Sequence, residues 1–169
     1  MLSYDYEEPG EWLAATDAGR LLVVRAGGSG AAIDRLWAGF GLGDGVQGVL
    51  GELTSQGLFQ TPPFALLTWT GVMTDGPVAV RTIVRGDVSV RLSTATGAIE
   101  VSGRGVATWS EQSFADVSAF FVDGGGPGGG AGGQRLPLTV GMARTRRICT
   151  WASSGGAEAP AASLPVVAR

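Results

Sequence analysis

The spacing of apolar positions changes twice along this chain, and each change predicts a different kind of element. Two short apolar runs, Trp12-Leu-Ala-Ala15 and Leu21-Leu-Val-Val24, flank Thr16-Asp-Ala-Gly-Arg20, whose Asp and Gly suit a turn, so an opening β-hairpin is expected. After Gly27-Gly-Ser-Gly30 the period lengthens. Ile33, Leu36, Trp37 and Phe40 fall at i, i+3, i+4 and i+7, which predicts an amphipathic helix with Ser29 as N-cap and Gly41 as stop. Val46, Val49, Leu50 and Leu53 repeat the spacing, with Asp44 as cap and Gly57 as terminator. Gly45, Gly48 and Gly51 weaken this second helix by ~1 kcal/mol each relative to Ala, so its support must come from packing.

Beyond the break at Thr61-Pro-Pro63 the pattern is that of strands. Phe64 to Thr70 is one apolar run. Alternation places Val78, Val80, Thr82 and Val84 on one face, then Val88, Val90 and Leu92 on one face, with Gly86-Asp87 read as a two-residue turn between two strands. Further strands are expected over 98–102, 105–110, 117–122, 135–140 and 147–152. The glycine-rich run 124–133 reads as a loop joining neighbouring strands. Strands and helices do not alternate, so the expected class is α+β. It would hold antiparallel sheets of about nine to ten short strands, sandwich-like, with consecutive helices at about 30–40 and 45–56 on one face. Residues 1–152 would form this domain, and 153–169, rich in Ala, Pro, Gly and Ser, a tail or linker.

Composition narrows the chemistry. All twelve basic residues are Arg, and the 169-residue chain has no Lys, His or Asn. Ser-His-Asp and Cys-His catalysis, histidine-ligated zinc, Schiff-base lysine and a Walker phosphate loop therefore lack essential parts. A net charge of −3 argues against a nucleic-acid partner. Neither a secretory leader nor an apolar run of membrane-spanning length is evident, so the expected location is cytoplasmic, without membrane insertion. The lone Cys149 lies in the strand-like run Arg147-Ile-Cys-Thr-Trp151, where it reads as a small buried hydrophobe.

Several short patterns have ordinary structural explanations. Leu21-Leu-Val-Val24 followed by Gly27-Gly-Ser-Gly30 and a helix has the layout of a phosphate cradle but not its full glycine pattern, and a β-to-α connection accounts for it. Asp5, Glu7, Glu8 and Glu11 read as a solvated acidic segment. Trp12, Trp37, Trp69, Trp109 and Trp151 fall one per element, as core residues would. No catalytic, cofactor-binding or metal-ligating residues are assigned, and no cofactor is expected.

Three segments together carry a resemblance: Pro63-Phe-Ala-Leu-Leu-Thr-Trp69, Val84-Arg-Gly-Asp-Val-Ser-Val-Arg91, and Val101-Ser-Gly-Arg-Gly-Val-Ala-Thr-Trp-Ser-Glu111. Over about residues 8 to 152 the chain resembles the N-terminal region of bacterial proteins that carry a C-terminal forkhead-associated (FHA) domain. That resemblance implies a non-catalytic accessory module of a phospho-signalling protein. Reading of phosphothreonine would belong to a downstream FHA domain, since the Gly-Arg, Ser and His motif of such domains is absent here. In order of elements the chain is also similar to metal-dependent Ser/Thr phosphatases of the PPM type, with Gly86-Asp87-Val-Ser-Val-Arg-Leu92 at the place of one family motif. Arg25-Ala-Gly-Gly-Ser-Gly30 stands where that family has a metal-bridging aspartate, which implies a degenerate core.

The leading expectation is thus a non-catalytic protein-interaction or regulatory module with an unidentified protein partner. The alternatives are a metal-dependent phosphatase using Asp5, Asp17 and Asp87, and a self-associating structural module that forms a homo-oligomer.

Overall fold

The computed structural model describes residues 1–5, 11–26, 30–41, 46–125 and 135–150. Its strands are β1 (Leu2–Asp5), β2 (Trp12–Asp17), β3 (Arg20–Arg25), β4 (Phe64–Trp69), β5 (Val78–Thr94), β6 (Gly97–Gly103), β7 (Ser110–Asp123), β8 (Arg135–Leu138), β9 (Gly141–Arg144) and β10 (Arg147–Thr150). Between β3 and β4 come helices α1 (Gly30–Phe40) and α2 (Val46–Leu53) and a 3-10 turn, Leu58–Gln60.

The expected α+β sandwich is overturned. All ten strands belong to one mostly antiparallel sheet in the order β8-β1-β10-β7-β5-β4-β3-β2-β9, with β6 added to β5. β8 and β9 stand at the two ends of that order, yet only Thr139 and Val140 separate them in the chain, so the sheet curls into a nearly closed barrel. Closure removes sheet edges that a sandwich leaves open. The two helices are short additions to this all-β frame.

Sharp bends in two long strands make the curl. The Gly86-Asp87 turn expected between two strands is instead a bend inside the continuous strand β5. Gly86 has φ 74°, and a Cβ there would stand 2.9 Å from Pro63 Cβ, so glycine is the residue that lets β5 turn at this point. β7 bends at Asp116, the one non-glycine residue of positive φ (57°) among the described residues. β5 consequently meets β7 twice, Val78–Val84 lying beside Ser110–Val117 and Ser89–Thr94 beside Val117–Asp123.

The central strands are apolar on both faces, which explains their unbroken apolar runs. Leu21 and Val23 of β3, Ala65 and Leu67 of β4, and Val80, Val84, Val88, Val90 and Leu92 of β5 fill the barrel with Phe120, Val122 and Ile148. The alternate residues Leu22, Val24, Phe64, Leu66 and Ile83 face outward, against Leu36, Phe40, Val49 and Leu53 of the helices. Each such burial contributes about 1.5–3 kcal/mol. An ion pair between Arg35 and Glu52 (2.7 Å) ties α1 to α2. The expected caps Ser29 and Asp44 lie outside the described residues.

One element lies where none is expected, and two further expectations are corrected. The opening residues, for which the sequence predicts no element, form β1, which pairs with both β8 and β10; its Ser3 is buried and faces Cys149 at 3.1 Å, while of the acidic segment that follows, residues 6–10 lie outside the described residues. The strand expected over 105–110 is instead a loop, and β7 begins only at Ser110. The strands on either side of the glycine-rich run are not neighbours in the sheet, because β10 and β1 lie between β7 and β8. Residues 126–133 of that run, and the tail 153–169, lie outside the described residues.

Candidate functional site

The three carboxylates of the phosphatase alternative are not brought together. Asp17 closes the β2–β3 turn, accepting from the Ala18 N–H (2.7 Å) and from Arg20 Nη2 (3.1 Å). Asp5 lies at the far end of β1 against Arg135 (3.5 Å), and Asp87 is exposed in the bend of β5. Among the described residues no group of three His, Cys, Asp or Glu side chains stands close enough to hold a metal ion. Of the glycine pattern before α1, Gly30 is the first helical residue, and 27–29 lie outside the described residues. Cys149, half-buried, has the Ser3 hydroxyl beside it rather than an activating base.

The tryptophans divide. Trp12 is buried in the barrel, while Trp69 and Trp109 are half-buried against the inner and outer apolar clusters. Trp37 is exposed on α1 and stacks on Phe40 (5.9 Å between centroids). Trp151 lies outside the described residues.

What the sequence did not disclose is the work of Arg85. In a regular β-strand it would point to solvent; the bend at Gly86 and the short connections on either side instead enclose its guanidinium with main-chain carbonyls. Nε donates to Thr61 O (3.2 Å) and Nη2 to Leu58 O (2.9 Å), both in the turn after α2. Nη1 donates to Ala107 O (2.7 Å) and to Thr108 O, in the loop between β6 and β7. Four carbonyls from two loops thus share one planar cation, whose fixed fork of donors suits such a cluster better than a Lys ammonium would. Gly103 allows the close approach on which this depends, since a Cβ there would stand 2.6 Å from Arg85 Cα. The Val84-Arg-Gly-Asp segment and the Gly-Val-Ala-Thr-Trp segment, separated by some twenty residues in sequence, are therefore one structural unit.

Each pinned loop carries an exposed apolar side chain one residue from a carbonyl that Arg85 holds. Phe59, next to Leu58, is 90% exposed, and Val106, next to Ala107, is 44% exposed. Trp109 anchors the second loop by packing on the apolar cluster beneath the helices. A single exposed hydrophobe is commonplace. Here the two stand on separate loops whose backbones are tied to one cation. Arg104 is exposed at the start of the second loop. Four donor contacts of the guanidinium go to the protein's own backbone.

No protein-family model matches this chain, and no curated protein or solved structure does either. No helix among the described residues is long and apolar enough to cross a membrane.

Proposed function

We propose that this chain is a non-catalytic protein-interaction module, of the kind that precedes an FHA domain in a bacterial phospho-signalling protein, acting in the cytoplasm. The observation that carries this reading is the pair of Arg85-held loops presenting Phe59 and Val106. An anchor on an ordered loop loses little conformational freedom when a partner covers it, so more of the burial energy remains as affinity. Aromatic side chains placed this way dominate many interfaces. Two of the three segments that resemble FHA-protein N-terminal regions supply Arg85 and the loop bearing Val106, while the turn bearing Phe59 lies outside them; to that extent the resemblance supports the same reading.

The test has two parts. The purified chain, incubated with phosphoester, peptide and nucleotide substrates in the presence of Mg or Mn, is expected to turn over none of them; turnover abolished by Asp87→Ala would overturn the proposal. The immobilised chain is expected to retain a discrete partner from its native cell extract, and Phe59→Ser is expected to lose it. Equal retention by Phe59→Ser and the unaltered chain would remove the surface from the proposal.

A further inference from the structure

We propose that the open end of the barrel is a binding site for a small, neutral, apolar molecule, distinct from the surface held by Arg85. The β2–β3 turn, the β4–β5 loop and the link between β8 and β9 surround a cavity of about 570 Å³ at this end. That is within the ~300–1,000 Å³ usual for small-molecule sites. Its apolar wall comprises Met1, Leu2, Trp69, Val72 and Met73. The Trp69 ring is fixed against Phe120 (5.4 Å between centroids, 57° apart), while Met73 supplies an adaptable thioether.

Several polar groups of the cavity are already engaged with the protein itself. The Thr16 hydroxyl donates to Arg20 O (2.9 Å) and the Ser118 hydroxyl to Ser93 O (3.2 Å). Thr150 Oγ1 accepts from the Phe120 N–H (3.2 Å), and Asp17 is held by the Ala18 N–H and Arg20. An anionic ligand would lose its hydration here and meet the Asp17 carboxylate, whereas a neutral apolar one loses nothing by entering. The mostly apolar wall therefore disfavours anions and suits neutral aliphatic or aromatic molecules.

The probe is N-phenyl-1-naphthylamine, a neutral dye that brightens in apolar surroundings and accepts energy from tryptophan. The full chain is expected to bind one equivalent saturably, with energy transfer that falls in Trp69→Phe. Ala119→Trp, which fills the cavity, and Val72→Asp, which charges its exposed wall, are each expected to weaken binding by about tenfold or more, equivalent to ~1.4 kcal/mol. Two variants guard against a folding defect in either one. Phe59→Ser is expected to bind the dye as the unaltered chain does, which separates this site from the loop surface. Non-saturable binding, unchanged affinity in both cavity variants, or tighter binding of the anionic anilinonaphthalene sulfonate would overturn the proposal. So would a gain in affinity on Leu164→Asp with Val167→Asp, because the chain's own apolar stretch would then be the occupant.

Discussion

Gly39 of α1 and Gly48 of α2 meet backbone to backbone: a Cβ on Gly48 would stand 2.3 Å from the Gly39 carbonyl oxygen, and one on Gly39 2.9 Å from that of Gly48. Gly48, read from sequence as a weakness in its helix, is thus the residue that lets the helix pair close. Gly51, three residues on, has nothing within 4 Å of the position its Cβ would take. The two sites should respond to alanine with opposite signs. Gly51→Ala is expected to stabilise the chain by up to ~1 kcal/mol through helix propensity. Gly48→Ala is expected to destabilise it by roughly 1–3 kcal/mol, because the clash is with main chain that no rotamer change can relieve. Urea unfolding of the two variants checks this; stabilisation by Gly48→Ala would show that the helices are not in contact there.

Arg85 should be intolerant of a change that keeps its charge. Lys retains the cation but not the planar fork, and cannot reach Leu58 O, Thr61 O, Ala107 O and Thr108 O together. Hydrogen bonds to charged groups contribute about 1.5–3 kcal/mol each, less where water can replace them. Arg85→Lys is therefore expected to cost roughly 2–4 kcal/mol in chemical denaturation. Proteolysis of the variant should begin in 57–61 or 104–109. A loss under roughly 0.5 kcal/mol, the range of ordinary surface changes, would mean that the guanidinium is incidental to these loops.

Phe59→Ser should behave in the opposite manner. With 90% of its surface exposed, Phe59 has little packing to lose, so stability is expected to change by no more than ~0.5 kcal/mol. Partner retention should fall all the same. A drop in stability comparable to that of Arg85→Lys would show that Phe59 is covered by its own chain.

The limits of the sequence reading follow from which signals are local. β3 and β4 announce themselves because residues on both faces are apolar, and α1 because its buried residues Leu36 and Phe40 keep a helical spacing. The bend in β5 is not local: Gly86-Asp87 has the composition of a hairpin turn, and only the pairing of β5 with β4 on one side and β7 on the other shows that the strand continues. β1 has Leu2 and Tyr4 as its only apolar residues, too weak a pattern to stand out from the acidic residues that follow. Barrel closure by β8 and β9 depends on pairings with β1 and β2, more than a hundred residues away in sequence. The Arg85 cluster escaped detection for a related reason, since its partners are carbonyls, which every residue carries and no sequence pattern marks.

The ion pairs rank by burial and geometry rather than by number. Asp123 accepts from Arg147 Nε at 3.0 Å with both side chains under a quarter exposed (23% and 22%), and its other oxygen accepts from the Gly125 N–H at 2.9 Å. It therefore fixes both the β7–β10 pairing and the chain leaving β7. Glu100 reaches Arg91 only at 3.8 Å across β6 and β5, with both side chains more than half exposed (57% and 56%). Exposed pairs of this kind are worth about 0–1 kcal/mol and are screened by salt. Asp123→Ala is expected to cost roughly 1–3 kcal/mol, since it removes a half-buried contact to the Arg147 guanidinium and the acceptor of the Gly125 N–H. Glu100→Ala should fall within roughly 0.5 kcal/mol of the unaltered chain. Added salt should erase what remains of the Glu100 effect while leaving most of the Asp123 effect in place. Equal costs for the two substitutions, or complete loss of the Asp123 effect in molar salt, would show that the Asp123 carboxylate acts only as a surface charge.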